Sequence, residues 1–438
     1  PLQKDGFMPY EVTESDFQVE KIGEARIPSP MIGERFVEDE DRILYTTSSR
    51  AIQSLLAEGR TLPTFEKAGP RSQIYFDPSK LRCGIVTCGG LCPGINDVIR
   101  AIVLSLYHSY GVRTIWGFRY GFEGLASSYG HEVMELDPEA VKDIHQKGGT
   151  ILSSSRGPQD LEDMVDTLER MNIGILFAIG GDGTLQGARA IAEEIRKRNL
   201  KIAVVGVPKT IDNDIAYMDL SFGFVTAVSE ATRVIYAAHS EATGARNGLG
   251  LVKLMGRHSG FIAAISALAN NDVNFCLIPE VRFSLPVFLE ALQQRIETRG
   301  HAVVVVAEGA GQELLEEGGG TDASGNLRLG DIGVFLKDRI KAHFQQNDLD
   351  LVLKYIDPSY SIRSLPSDTY DSAICLVLGH NAVHAAMSGR TNMVVGFWKN
   401  HFTHIPISLA VSRRKQIHPD SRLWRNVMAC IGQPALIQ

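Results

Sequence analysis

The chain has 438 residues, with 44 Lys plus Arg against 51 Asp plus Glu, a formal charge of −7, and a composition 44% hydrophobic and 22% charged. At roughly 150 residues per domain this length predicts two or three compact domains and excludes a small disulfide-held module. A pI near 6.0 gives no electrostatic footprint for a nucleic-acid backbone, so no nucleic-acid partner is expected and any phosphorylated ligand must be held locally.

Residues 1 to about 80 are irregular and rich in proline and acids, with a strand or short helix suggested only around Arg42 to Gln53; they read as an N-terminal extension wrapping a core. From Leu81 the texture changes to short apolar runs alternating with amphipathic segments, the pattern of βαβ units around a parallel sheet. Strands are predicted at Leu81 to Cys88, Arg113 to Phe118, Ile173 to Ile179, Ile202 to Val207, Gly250 to Leu254, Val303 to Ala307 and Met393 to Phe397. Helices fit between them, one beginning near Pro93 and others at Asp160 to Met171, Leu185 to Arg198, Phe222 to Ala238, His258 to Ala269, Pro286 to Thr298, Ile332 to Phe344 and Asp371 to Met387. Glu316 to Gly320 reads as a surface loop.

Six cysteines are too sparse for a disulfide framework, so reduced thiols in a cytoplasmic protein are expected. Cys88 and Cys92 have no second Cys or His pair at zinc spacing and read as small packing residues. No window approaches the ~18 to 20 apolar residues of a membrane helix, and Pro1 to Asp16 lacks an apolar signal region, so neither membrane spanning nor signal-directed secretion is expected. Leu436-Ile437-Gln438 does not match a peroxisomal address.

In open α/β sheets ligands sit beyond the carboxyl ends of strands. Three such ends carry unusual chemistry. Thr87 to Asn96 places Gly89-Gly90 where backbone N–H groups can approach a phosphate, or where a tight turn is simply needed. Ile179 to Thr184 (Ile-Gly-Gly-Asp-Gly-Thr) embeds Asp182 in a glycine turn, either as a helix N-cap or as a carboxylate that shares Mg²⁺ with a phosphate. Val207 to Asp214 sets Asp212 and Asp214 one residue apart beside Lys209 and Thr210. Such a pair can divide labour, one acid taking a proton from a hydroxyl and the other orienting it or helping hold metal; an Asx-turn cap is the alternative.

Taken together these segments resemble the 6-phosphofructokinase family from about Leu81 towards the C-terminus, with Gly-Gly-Asp-Gly-Thr and Pro-Lys-Thr-Ile-Asp-Asn-Asp the most specific parts. The resemblance implies two doubly wound Rossmann-like α/β domains with mainly parallel sheets and an active site in the cleft between them. It divides the chain into an extension (1–80), a nucleotide domain (81–215, completed by about 366–405) and a sugar-phosphate domain (216–365, completed by about 406–438). By the same resemblance Asp212 is the base for the sugar 1-hydroxyl, Asp214 its catalytic neighbour, Asp182 the magnesium carboxylate, and Thr210 and Arg257 further catalytic residues. Gly90, Phe122, Arg156, Gly157, Gly181, Gly183, Thr184, Gly187 and Lys209 match nucleotide-contacting positions. Ile211, Met255, Gly256, Arg257, Glu308, Tyr360 and Arg363 match the sugar-phosphate site; Lys354 falls where relatives have a basic residue reaching a neighbouring subunit's sugar phosphate, and Arg246 is the candidate to compensate for a second such arginine that has no aligned counterpart. Arginines suit a dianionic 6-phosphate, and a carboxylate such as Glu308 suits a sugar hydroxyl.

The family divides by phosphoryl donor. Pyrophosphate users resemble one another in carrying Asp after the magnesium Asp and Lys before Thr-Ile-Asp-Asn-Asp; this chain has Gly183 and Lys209. An Asp at the first position would occupy the space of the ATP α-phosphate, whereas Gly183 leaves it open. The expectation is therefore ATP with Mg²⁺ and transfer to fructose 6-phosphate in glycolysis, as in ATP-dependent members of the pyrophosphate-like branch with a long N-terminal extension. Pyrophosphate-dependent transfer is the alternative, and a catalytically silent regulatory subunit is a third reading, against which Asp182, Asp212 and Asp214 are all retained. Relatives are commonly allosteric homo-oligomers, so a homotetramer or dimer is implied.

Overall fold

A computed structural model of the chain describes residues 12–315, 320 and 328–434. Its larger sheet has nine strands, in spatial order Arg42–Leu44, Thr64–Lys67, His401–Pro406, Met393–Trp398, Ala203–Pro208, Ile175–Gly180, Arg82–Thr87, Thr114–Phe118 and Val133–Glu135. The five strands from Met393–Trp398 to Thr114–Phe118 are mutually parallel, and both flanks are antiparallel. A second sheet of four parallel strands runs Phe275–Leu277, His301–Ala307, Gly248–Leu254 and Val352–Ile356.

Both sheets are covered on both faces, which is why their central strands are unbroken apolar runs. Along the larger sheet alternate residues enter different cores. Ile85, Phe177, Val205 and Val395 pack with Val98, Ile102, Leu378 and Ala382 from helices Ile95–Leu104 and Thr369–Met387. Val86, Leu176, Val204 and Val394 pack with Val165, Leu168, Leu185 and Ile191 from helices Leu161–Arg170 and Asp182–Lys197. The smaller sheet is enclosed in the same way, with helices Phe224–Thr243, Phe261–Ala269 and Arg422–Ile431 on one face and Leu285–Arg299 and Ile332–Gln346 on the other.

The predicted strands and helices all occur, displaced by a few residues at their ends. The helix expected near Pro93 starts at Ile95, after Gly94 in a left-handed conformation (φ 98°). The N-terminal segment differs from a simple wrap. It supplies two edge strands to the larger sheet and a helix, Ser49–Ala57, capped by the Ser48 hydroxyl. The strand His401–Pro406 has no apolar alternation in sequence, because it buries the polar Thr403 and His404, the latter against Glu66. Glu316 to Gly319 and the last residues, Ala435 to Gln438, lie outside the described residues, so the loop and terminal readings made there do too.

The added strands are held by an ion cluster around Arg390, whose side chain is 2% exposed. Its Nε donates to Glu66 (2.6 Å) and its Nη2 to Asp39 (2.6 Å), while Arg71 donates to Asp39 (3.1 Å) and His404 donates through Nδ1 to Glu66 (3.2 Å). Burial would raise the Glu66 carboxyl, but the His404 hydrogen bond and the Arg390 charge outweigh it and hold the pKa at about 2. Breaking a buried pair on one side strands the other charge, so Arg390→Met should cost about 3 to 5 kcal/mol in urea unfolding. A loss under about 1 kcal/mol, the range of a surface pair, would contradict the structural role assigned to this cluster.

Candidate active site

In the larger sheet the chain runs from Arg82–Thr87 to the strand on one side and then crosses to Ile175–Gly180 on the other, making a topological switch point between them. A crevice opens beyond the carboxyl ends there, and the three glycine- and acid-bearing loops follow strands at or beside it. The loops are stitched together: Cys88 N donates to Ile179 O (3.1 Å), and Lys209 N to Gly180 O (2.9 Å).

The loop carrying Arg156 is pinned over the Gly89-Gly90 turn. Gly89 N donates to Ser155 O (3.1 Å), the Ser154 hydroxyl to Gly89 O (2.6 Å) and the Thr87 hydroxyl to Ser153 O (2.7 Å). A Cβ on Gly90 would stand 3.3 Å from Nη2 of Arg156, so that guanidinium lies against the turn, and Gly157 follows with φ 104°. Lys209 is buried beneath, its Nζ donating to Gly90 O (2.7 Å). Burial pushes its pKa down, and the charges of Arg156 and Arg363 push the same way.

Asp182 is the first residue of its helix, after Gly181, and makes no side-chain cap. Its Oδ2 instead accepts from Gln186 (2.9 Å) and from Nη2 of Arg414 (3.3 Å), so the capping alternative does not describe it. Burial raises its pKa, Arg414 opposes this and Asp214 adds to it. Nothing lies within 4 Å of the position a Gly183 Cβ would take, whereas Thr184 is buried against Gly180. Phe122 is buried against Gly187 of the same helix, as part of the core.

The two neighbouring acids have different surroundings. Asp214 is fully engaged: Oδ1 accepts from the Thr210 hydroxyl (2.7 Å) and Oδ2 from Nη1 of Arg414 (2.8 Å). Asp212 has one contact to Oδ2, a long one from Arg257 N (3.4 Å), while its buried Oδ1 takes no hydrogen bond from the described residues. Burial, then the charges of Asp214 and Glu308, raise the Asp212 pKa to about 8. Asn213 between them, at φ 55°, is a staple: its Oδ1 accepts from Ser221 N (2.9 Å) and its Nδ2 donates to Asp219 O (3.2 Å). The next helix starts only at Phe224, so this is not an Asx cap.

The smaller sheet closes the cleft with the loops after its two central strands. Glu308 N donates to Leu254 O (2.9 Å) and Gly309 N to Gly256 O (3.0 Å), holding buried Met255 and Gly256 beside half-buried Arg257 and Glu308. Ile211 packs into the cores of both sheets. Any side chain on Gly148 would collide with Ser364 O, so the Arg156 loop meets the Arg363 segment backbone to backbone. Arg363 contributes positive charge at both Asp212 and Lys209. Tyr360 is instead 79% exposed, with the Arg363 guanidinium 5.2 Å over its ring. Lys354 faces outward from an edge strand and pairs with Glu241 (3.7 Å), and Arg246 is exposed; the cleft of one chain gathers none of these three.

Arg414 had no place in the sequence-based site, although it touches two of the three acids. His258, another residue outside that set, has its pKa lowered by burial and by the charges of Arg414 and Arg257.

A family profile described as Phosphofructokinase matches residues 82–386. An ATP-dependent 6-phosphofructokinase of Borreliella burgdorferi is 48% identical over 436 residues, covering 96% of this chain and 97% of the relative. One from Amycolatopsis methanolica is 48% identical, covering 96% and 95%. Among solved structures, a pyrophosphate-dependent phosphofructokinase from Marinobacter aquaeolei aligns with TM-score 0.66 at 20% identity over 81% of this chain and 92% of that one, a likeness of fold. With a matching profile across both sheets and such identity over nearly the whole length, the chain belongs to the phosphofructokinase family.

Proposed function

We propose that the chain is an ATP-dependent 6-phosphofructokinase, which moves the γ-phosphoryl group of ATP to the 1-hydroxyl of fructose 6-phosphate and releases ADP and fructose 1,6-bisphosphate. The relatives of that name at 48% identity over nearly the whole chain support it. The observation that carries the chemistry is the buried Oδ1 of Asp212, an acceptor with no donor among the described residues, beside a neighbour whose oxygens are both occupied.

Phosphoryl transfer demands positioning and charge neutralisation more than covalent chemistry. Asp212 is suited to accept the proton of the 1-hydroxyl as that oxygen attacks, and its raised proton affinity brings it nearer the alcohol than an ordinary carboxylate. Asp214, fixed by Thr210 and Arg414, stands beside Asp212, and its charge raises that affinity. Arg156 and Lys209 line the nucleotide side, where fixed donors act on charge developing at the γ-phosphoryl oxygens. Arg257, Glu308 and Arg363 meet the sugar phosphate.

Among the described residues no cluster of three or more His, Cys, Asp or Glu could hold a metal alone. Asp182, with Asp214 tied to it through Arg414, offers hard oxygen to an ion that brings phosphate oxygens and water with it, which fits Mg²⁺. When bound, that ion supplies positive charge to the phosphate chain. The exposed Lys354 and Tyr360 suit contacts made across a homo-oligomer, a dimer or tetramer, rather than within one cleft. Free cysteines, five of them buried and Cys430 exposed, suit a cytoplasmic protein. Among the described residues no helix is long and apolar enough to cross a membrane.

A coupled assay with ATP and with pyrophosphate in turn tests the donor: turnover with ATP is expected, and turnover with pyrophosphate alone would overturn the proposal. Because a Cβ at Gly183 meets open space, Gly183→Asp should fold with an unchanged melting temperature yet lose most ATP turnover; unchanged ATP kinetics would contradict the steric argument. Asp212→Asn should lower kcat roughly a hundred- to ten-thousand-fold while fructose 6-phosphate still binds, as calorimetry would report.

The base must be deprotonated to work, so kcat/KM is lost as pH falls through its pKa. The acid limb should therefore lie well above the usual carboxylate range, and Asp214→Asn, which removes a neighbouring negative charge, should move it to lower pH.

A further inference from the structure

Asp182 and Asp214 stand on different loops of one cleft, and the same guanidinium spans them. Arg414 donates through Nη1 to Oδ2 of Asp214 (2.8 Å) and through Nη2 to Oδ2 of Asp182 (3.3 Å). Its backbone is fixed against the base-bearing loop, by a bridge between Arg414 and Ile215 and by Lys415 N donating to Asp214 O (2.7 Å). The forked end therefore reaches from the Asp214 side towards Asp182, and the arm on Asp182 is the longer one.

Gln186 already donates to that same Asp182 oxygen at 2.9 Å, so the second arm of Arg414 adds charge more than it fills an empty acceptor. A guanidinium is a planar, permanently charged fork, able to satisfy two carboxylates at once. Two acids that face one space without a cation repel each other, and they also repel an incoming polyphosphate. Arg414 borders a second space as well. It lines a cavity of about 730 Å³ behind the 413–418 segment, together with Tyr217, Glu280 and Trp398, so its side chain has room to withdraw.

We propose that Arg414 is a positioning residue that stands in for the metal cation: it holds Asp182 and Asp214 together in the empty cleft, then releases Asp182 to the arriving metal–nucleotide while keeping Asp214 in place. This rests on the reading of Asp182 as the metal carboxylate. It gives the cleft a property that the metal carboxylate alone would not: tolerance of the bare nucleotide, because one positive charge is always present between the acids. It also explains why Asp214 has no free oxygen for base chemistry, leaving that to Asp212.

The test is calorimetric titration of the full chain with ATP in excess EDTA and with ATP in excess Mg²⁺, for the wild type, Arg414→Met and Arg414→Lys. Removing the charge should weaken binding of metal-free ATP by about tenfold or more while leaving Mg-bound ATP within about threefold, since a charge-assisted contact is lost only where no metal replaces it. The Lys variant, which keeps the charge without the fork, should fall between, and it preserves the comparison if the Met variant does not fold. A merely structural arginine would weaken both forms equally, and that result, or no change in either, would overturn the inference. Wild-type protein that binds Mg-bound ATP but no bare ATP would overturn it too. Wild-type protein that binds neither form would overturn the donor assignment, and this inference with it.

Discussion

Three carboxylates share one cleft, and keeping them distinct in role is the constraint on which the rest of the site depends. Like charges this close cannot all be ionised and unpaired. The structure resolves the conflict by unequal partnering: Asp214 is saturated by Thr210 and Arg414, Asp182 is held by Gln186 and Arg414, and Asp212 is left with a buried, unbonded oxygen. On the proposed function, a proton acceptor, an electrostatic neighbour and a metal carboxylate thus arise from one residue type.

The scaffold supplies the precision. Both sheets deliver their site residues from loops at strand ends, held by backbone hydrogen bonds between neighbouring loops, such as Cys88 to Ile179 and Gly309 to Gly256. Gly148 lets the two halves of the cleft meet at backbone distance. Such rigidity suits a reaction whose barrier falls mainly through alignment.

Much of this was legible in the sequence because it is local. Buried parallel strands are apolar runs, and the residues after them mark the crevice, so the loops at Gly89, Gly181 and Lys209 could be placed before any fold was known, while Met255 and Glu308 came from the family resemblance. What escaped was long-range. Arg414 lies 200 residues from Asp214, within an Arg-Arg-Lys run that by itself reads as solvated charge. The strand His401–Pro406 was hidden because it buries polar residues, His404 among them against Glu66, a partner more than 300 residues earlier. The N-terminal strands have no periodicity of their own and are secured by Arg390 from the far end of the chain. Phe122, which matches a nucleotide-contacting position by resemblance, packs its ring on Gly187, another such position.

The central claim is that burial beside Asp214 and Glu308 makes Asp212 an unusually strong base. Its carboxyl stretch can be followed by infrared difference spectroscopy across a pH titration, with Asp212→Asn as the blank. The account predicts a protonated carboxyl band that persists well above the ordinary carboxylate range before it is lost. A band that disappears near pH 4, as for a solvated aspartate, would contradict it.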